Sequence, residues 1–402
     1  MKRFLSVACM LPTALALAGA AGSALAQAEQ ATPQLTKRLV GDYGYWSRTQ
    51  TPPYGAAQIP MSKLTHINHA GVSFDSNGKL VVPSGFLEPQ LIDKAHAAGV
   101  RVLLLLGGDF GALETNPALV GTLVNNLQVF LNKHGYDGVD IDWEYPSTTP
   151  DSITFLSLMS ALRNAFPSPA YVLSADVAPW GGSGYNFTEV TPLVDYFNIM
   201  MYDCAGPWTD DAQLNSAIFP DPFNPATYNC EPGGTVKEAI DIYVNDLSIP
   251  PVQLNMGTPF YGYLYKNVSA LWGFCTNCAN TVLSENYGTF IKPRINAEGW
   301  RTFYDTYSLV PYLLRTDGKP GFITYDDPFS TFYRVAYSVW RRGLGGSFMW
   351  SLDADYDGTS QDLLEAMYNA SLPQTKTGLP TSCWLTGHAW RIALSPMSVS
   401  PS

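Results

Sequence analysis

Short apolar runs rich in β-branched and aromatic residues alternate along this chain with stretches whose apolar positions recur at helical spacing. The runs are Arg38 to Tyr45, Leu64 to Phe74, Val100 to Gly107, Tyr136 to Glu144, Tyr171 to Val177, Tyr196 to Asp203, Val252 to Thr258 and Gly345 to Leu352. Helical patterns between them include Glu88 to Ala98, Ala118 to His134, Ser152 to Phe166, Val236 to Leu247 and Phe332 to Arg342. Alternation of this kind predicts parallel strands joined by helical crossovers, and eight such runs predict an α/β fold of the closed (β/α)8 TIM-barrel type. In that architecture, reactive side chains stand at the C-terminal ends of the strands.

Three segments depart from the rhythm. Residues 263–320, rich in Tyr, Asn and Thr, carry no strand-helix unit and are expected to form a small insertion before the eighth strand, with a long loop as the alternative. Residues 371–402 turn to Pro, Thr, Ser and Lys around Cys383, Trp384 and Trp390, and read as a flexible tail, since about 30 residues cannot bury a core of their own. At the other end, Lys2 and Arg3 precede an apolar stretch to about Ala21 and a small-residue site, Ala24-Leu25-Ala26, before Gln27. That is the pattern of a cleaved secretory signal over 1–26, which leaves 27–370 as the barrel domain. No other apolar run approaches the ~18 residues that a membrane span requires, so a secreted protein, extracellular or periplasmic, is expected.

Charge and cysteines narrow the partners. The formal net charge is −11, and it becomes more negative once Lys2 and Arg3 leave. An acidic surface disfavours nucleic acid and anionic membranes and permits a neutral polymer, for which an aromatic content of 13% supplies stacking faces. A monomer is expected. Without Cys9, five cysteines remain, and export favours disulfides. The expected pairs are Cys204 with Cys230 and Cys275 with Cys278, leaving Cys383 over, although spacing alone does not fix connectivity. A zinc site on Cys275 and Cys278 lacks two further ligands nearby, and His66, His69, His96, His134 and His388 have no ligand spacing. No metal or cofactor is expected, and His69 is the one histidine placed to reach a cleft.

The chemistry concentrates in Asp137-Gly138-Val139-Asp140-Ile141-Asp142-Trp143-Glu144. A strand alternates its faces, so Asp140, Asp142 and Glu144 point one way and Asp137 the other. Three acids in a row inside a core are costly unless they share protons and hydrogen bonds. Pro146 cannot continue a central strand, which puts Glu144 at the mouth of the barrel. A pair of carboxyls is the usual equipment for cleaving a glycosidic bond, and burial beside a like charge favours the protonated form that an acid catalyst needs. Glu144 is therefore the expected proton donor, Asp140 and Asp142 a coupled pair, and Asp137 a structural tie at the strand start. A calcium or magnesium site is the alternative, but three acids on one strand make poor convergent ligands.

The spacing Asp137-x-x-Asp140-x-Asp142-x-Glu144 resembles the signature of glycoside hydrolase family 18, the chitinases and their relatives. Thr65-His66-Ile67-Asn68 is similar to that family's second strand, Gly107-Gly108 to its third and Met200-Met201-Tyr202-Asp203 to its sixth. Thr258-Pro259-Phe260-Tyr261-Gly262 is similar to its seventh, Tyr325-Asp326-Asp327-Pro328 to the approach to the eighth, and Gly345-Gly346 to Trp350 to the eighth itself. The resemblance implies retaining hydrolysis of N-acetylglucosamine polymers by substrate assistance, with the substrate's own acetamido carbonyl as nucleophile. Glu144 is then the acid and base, Asp142 holds the amide N–H with Asp140 behind it, and Tyr202 orients the acetamido oxygen. Trp350 is expected as the floor under that sugar, with Met200, Asp203, Tyr261 and Trp46 lining the cleft. Trp180, Trp208 and Trp272 fall on loops at the mouth.

Several positions depart from the family pattern. Leu105 stands where a Ser often supports the acid row, Asp109 follows the glycine pair in place of an aromatic, and His69-Ala70-Gly71 replaces Tyr-Ala-Phe. Asp42 stands where the first strand usually carries an aromatic, and Tyr263 replaces an Arg. Two other functions share the acid row: an endo-β-N-acetylglucosaminidase acting on the N-glycan core, and an inactive chitin-binding lectin, which usually lacks the terminal acid.

Overall fold

The computed structural model describes residues 35–223, 230 and 234–373. Signal residues 1–26, Cys383, Trp384, His388, Trp390 and nearly all of the expected tail lie outside the described residues. Eight parallel strands form the centre: β1 (Arg38–Gly44), β2 (His66–Phe74), β3 (Arg101–Gly107), β4 (Gly138–Asp142), β5 (Val172–Val177), β6 (Tyr196–Ile199), β7 (Leu254–Pro259) and β8 (Gly346–Trp350). Each pairs with the next, and β1 pairs with both β2 and β8, so the sheet closes into the expected barrel.

Helices cover the outside because their apolar faces match it. In Leu119–His134, Val120, Leu123, Val124, Leu127 and Leu131 are buried at helical spacing. The helix stops at Gly135, whose φ of 79° is the left-handed turn that glycine adopts at lowest cost, and whose N–H donates to the Leu131 carbonyl at 2.8 Å. Thr149–Ala165 starts on a capping box in which Thr148 and Asp151 each accept the other's backbone N–H, and it buries Phe155, Leu158, Met159 and Leu162.

Alternation along the strands sorts the interior. Leu39 and Tyr43 on β1 face the helices, while Val40 and Asp42 face the barrel axis. The lower interior is apolar, with Val40, Leu103, Val172, Tyr196 and Phe348 in one cluster. Above it, Asp42, Asn68, Asp140, Ser174, Asp176 and Asn198 are all buried. A barrel core that changes from apolar to acidic toward its C-terminal end supports chemistry at that end.

Of the strands that stop earlier than their apolar runs suggest, β4 and β6 bear on the barrel mouth. β4 loses its ladder after Asp142, because its partners there, Gly107 and Asp176, lie at or near the ends of their own strands. β6 ends at Ile199, after which Met201 N–H donates to the Ile199 carbonyl and Tyr202 N–H to the Met200 carbonyl, both at 2.8 Å. These tight turns replace the ladder and fold Met200 to Asp203 over the barrel mouth.

Between β7 and β8 lies a five-stranded antiparallel sheet, in the order Val282–Asn286, Tyr261–Tyr265, Phe322–Thr324, Val310–Arg315, Trp300–Asp305. Only Phe260 separates its Tyr261–Tyr265 strand from β7, so the sheet is anchored at the rim. Cys204 is bonded to Cys230 and Cys275 to Cys278, the pairs expected from the sequence.

Candidate active site

Asp140 and Asp142 occupy successive inward positions of β4, and Glu144 follows two residues past its end. Burial grades along the row: Asp140 is fully buried, Asp142 half-buried and Glu144 exposed. The expected burial of Glu144 is therefore absent, because the strand that would have enclosed it ends two residues earlier. What holds Glu144 in place is its neighbour on the opposite face. Trp143 is buried, stacked on Phe110 at 4.8 Å between ring centres and set edge-on to Phe155 at 6.1 Å. Tyr145 packs edge-on against Trp180 at 5.1 Å.

Asp140 is the best-satisfied acid. Its Oδ2 accepts from the Asn68 amide at 2.9 Å, and its Oδ1 from the Ser174 hydroxyl and, at 3.4 Å, from the Asn198 amide. Burial raises its pKa, and the Ser174 hydroxyl offsets part of that rise. Asp142 differs, since its Oδ1 has no hydrogen-bond partner. Its pKa is raised well above the usual carboxylate range by burial first, then by the charges of Glu144 and Asp140, with a hydrogen bond to Glu144 adding to the effect. The pair is thus asymmetric: Asp140 sits among donors, and Asp142 leans toward Glu144.

The folded-over segment after β6 supplies Tyr202 and Asp203. Tyr202 is buried, with its ring against Tyr261 at 6.1 Å and Phe348 at 6.0 Å. Burial, then the charge of Asp176, raises its pKa well above 10. Asp203 adopts φ 63°, with its N–H held by Asn215 Oδ1 at 2.8 Å. Its carboxylate accepts from the hydroxyls of Tyr261 and, at 2.7 Å, Tyr263. Burial raises the Asp203 pKa in spite of these two donors. Tyr263, which replaces the family's Arg, thus supplies a neutral hydrogen bond where a guanidinium would supply charge. Met200 is buried beneath this layer.

At the end of β8, Trp350 approaches Trp46 with ring centres 6.3 Å apart and planes at 48°. Trp46 is 41% exposed, and its indole lies over Gly44 and Gly71: a Cβ on Gly44 would fall 2.3 Å from the ring, and one on Gly71 3.3 Å. The glycine that replaces an aromatic at position 71 therefore leaves space that Trp46 uses. A cavity of about 190 Å3 opens here, lined by Asp203, Tyr261, Tyr263, Ser284, Asn286 and Trp350. The antiparallel sheet thus forms one wall of the cavity, opposite Asp203 and Trp350 in its lining.

The glycine pair lies across from the acids. Gly107 is the register partner of Asp142, and a Cβ there would sit 3.6 Å from Asp142 Oδ2. Gly108 has φ 120°, a conformation open to glycine and strained for other residues. Asp137 stays out of the site. Its Oδ2 accepts from the Val102 N–H at 2.7 Å and meets His96 Nε2 at 2.8 Å, tying the start of β4 to β3. His69 does not reach the cleft: it faces the helix layer, stacked on Phe86 at 4.1 Å and bonded through Nδ1 to the Tyr136 hydroxyl at 2.8 Å. Its position is one residue away from the inward parity of Asn68.

Asn68, Ser174, Asp176 and Asn198 complete the site and are not singled out by the sequence. Their signal is parity: Ser174 and Asp176 share one face of a buried run, where polar residues need partners. Asp176 accepts from the Asn198 amide at 3.0 Å. Burial and the charges of Asp140 and Asp142 raise its pKa well above normal.

Comparison with known proteins agrees with this geometry. The sequence profile of Glycosyl hydrolases family 18 matches residues 38–355. A probable endochitinase of Caenorhabditis elegans is 29% identical over 64% of this chain and 44% of its own length, so the chain spans less than half of that relative. Chitinase 1 of Aphanocladium album is 24% identical over 79% of this chain and 81% of its own. The fold is shared with the Ostrinia furnacalis Group IV chitinase in complex with allosamidin, at 21% identity, a TM-score of 0.71, and coverage of 83% of this chain and 98% of that one. With the acid row, the closed barrel and a profile match from β1 to the turn after β8, this chain belongs to glycoside hydrolase family 18.

Proposed function

We propose that the protein is a secreted chitinase that hydrolyses β-1,4-linked N-acetylglucosamine polymers with retention by substrate assistance. Residues 1–26 act as the export signal, 27–370 as the catalytic domain and 371–402 as a tail. The observation that carries this reading is the graded row Asp140, Asp142 and Glu144 beside Tyr202 and Trp350. A covalent two-carboxylate mechanism needs an enzymic nucleophile facing the acid. Here Asp142 instead leans toward Glu144, placed to hold an amide N–H.

The sugar to be cleaved lies on Trp350, with Trp46 extending the apolar floor. Glu144 protonates the leaving oxygen while the substrate's acetamido oxygen attacks its own anomeric carbon, giving an oxazolinium ion. Asp142 holds the acetamido N–H, Tyr202 orients the acetamido oxygen, and Asp140 shares the proton and negative charge of the pair. Glu144 then takes a proton from water, which opens the ring and restores the starting configuration. Met200, Asp203 and Tyr261 shape the pocket, and Gly107 and Gly108 keep the approach to Asp142 open. The partner is chitin or its oligosaccharides and the working unit a monomer; neither nucleic acid nor a membrane takes part. No helix among the described residues is long and apolar enough to cross a membrane.

The test is a time course on a chitin hexamer, resolving product lengths and anomers, with Glu144→Gln beside the wild type. The wild type is expected to cleave and to form the β-anomer first. Glu144→Gln is expected to lose about 10²–10⁴-fold in kcat or more while still binding oligosaccharide, because it lacks only the transferable proton. Wild-type-like turnover by the variant sinks the mechanism. No cleavage by either protein moves the assignment to the N-glycan enzyme, tested on a high-mannose glycoprotein, or to a lectin if binding persists without turnover.

A further inference from the structure

Tyr202 lies in the turn beyond the end of β6, past the sheet ladder, yet the substrate-assisted step needs its hydroxyl in one place. The next residue, Asp203, has φ 63°, a conformation that is costly without glycine and persists where the surroundings enforce it. The enforcing contacts come from Asn215 and Ser216. The Ser216 hydroxyl donates to the Met201 carbonyl, and the Asp203 N–H donates to Asn215 Oδ1 at 2.8 Å. These belong to the two peptide groups on either side of Tyr202, so together they fix its backbone and the direction in which its side chain leaves. A third bond runs from the Cys204 N–H to the Asn215 carbonyl at 3.1 Å.

Asn215 and Ser216 are held in turn by the elements that precede β8. The Asn215 N–H donates to the Thr324 hydroxyl at 2.7 Å. Arg334, on the helix Pro328–Val335, donates from Nη1 to the Ser216 hydroxyl at 2.7 Å and from Nη2 to the Ser216 carbonyl at 2.6 Å. The same Nη2 meets Asp326 Oδ1 at 2.9 Å, and the Ser330 hydroxyl donates to that oxygen at 2.7 Å. Arg334 and Asp326 are both buried. A buried ion pair of this kind adds little net stability, because desolvation offsets most of its attraction. What the guanidinium supplies is direction, since its planar donors meet three fixed acceptors. With Nη1 on a lone pair of the Ser216 hydroxyl, the single proton of that hydroxyl is left for the Met201 carbonyl.

We propose that Arg334 is a positioning residue for the acetamido site: acting through Ser216 and Asn215, it holds the Met201 and Asp203 peptide groups and so sets where the Tyr202 hydroxyl meets the substrate. Its effect on rate rests on the chitinase reading. Its effect on the turn does not.

The test compares wild type, Ser216→Ala and Arg334→Lys in two ways. Ser216→Ala removes the hydroxyl that joins Arg334 to Met201, and on a chitin hexamer its kcat is expected to fall about 10- to 100-fold with KM little changed, the scale of a small misplacement away from the chemistry. In a Tyr202→Phe background the same substitution is expected to cost less than about twofold further, because the hydroxyl that it positions is already gone. Arg334→Lys keeps a charge beside Asp326 but not the planar fork, and is expected to lose kcat on the same scale with Tm only slightly lowered. The second readout needs no substrate: amide hydrogen exchange at Asp203 and Cys204 is expected to quicken about tenfold or more in both variants, while the amides of β4 and β5 keep their rates. Additive losses in the Ser216→Ala, Tyr202→Phe double variant, wild-type kcat in Arg334→Lys, or unchanged exchange at Asp203 and Cys204 overturns the role of Arg334. Should Arg334→Lys fail to fold, Ser216→Ala alone decides. Failure of the wild type to turn over the hexamer overturns the chitinase reading instead, and the exchange comparison still decides whether Arg334 and Ser216 hold the turn.

Discussion

Asp142 stands between an acid surrounded by donors and an acid open to solvent, and its half-buried position gives it two electrostatic neighbours of its own sign. Replacing it with Asn keeps the shape and an amide while removing the charge that the oxazolinium faces. Asp142→Asn is therefore expected to lower kcat by about 10²–10³-fold, the scale of a lost charge partner in a water-poor site. Steady-state kinetics on a chitin oligomer read it, and a loss under tenfold contradicts the role. This part of the site was legible because three acids at period two on an apolar run have no ordinary structural use. Asp42 and Asp176 were less legible, since a single acid in a strand reads equally well as an exposed position. Only closure of the barrel brings β1, β4 and β5 around one axis, and sequence distance conceals that neighbourhood. Tyr263 was visible as a departure, but its hydrogen bond to Asp203 depends on how the chain folds back after β6.

At the scale of elements, the eight strands and the main helices follow from apolar periodicity, while their ends do not. β4 stops where its neighbours stop, and that limit is set by pairing rather than by the residues of β4 itself. The antiparallel sheet was visible mainly as a missing pattern. Its Trp300–Asp305 strand has no buried residue, so it lacks the alternation that marks a half-buried strand. The turn carrying Glu144 depends on the helix beneath it, because Phe155 from Thr149–Ala165 is fully buried against Trp143 and also meets Tyr185 at 5.4 Å. Phe155→Ala is expected to destabilise the fold by about 3–5 kcal/mol, the cost of a cavity left by a buried ring. Because the cavity lies behind Trp143, kcat of the folded fraction should also fall. Denaturant unfolding measures the first effect, and a loss under ~1 kcal/mol shows that the contact does not support the turn.

At the scale of the whole molecule, the buried titratable groups set how stability responds to pH. Asp42, Asp142 and Asp176 have pKa values raised well above normal, and burial raises Asp355 to about 7. A raised acid holds a proton in the folded state that the unfolded chain has already released. Its contribution is fully present below the unfolded value near 4 and is lost as pH climbs through the folded value. His66 and His69 act with the opposite slope, since burial lowers both to about 3 and keeps them neutral in the fold. The unfolded chain takes up their protons below about 6.5, so they weaken the fold as pH falls from there toward 3. The two sets oppose one another between about pH 4 and 6.5, and above that window only the acids act. Tm is therefore expected to fall between pH 6.5 and 8.5, by an amount equivalent to about 1.4 kcal/mol per pH unit for each proton still retained. A negative net charge, −11 overall, steepens the decline at low salt through self-repulsion. Added salt should recover the repulsive part and leave the part due to the buried protons. Calorimetry at low and high salt across this range separates the two, and a Tm that is flat or rising from pH 6.5 to 8.5 at both salts shows that the acid cluster does not carry protons into the neutral range.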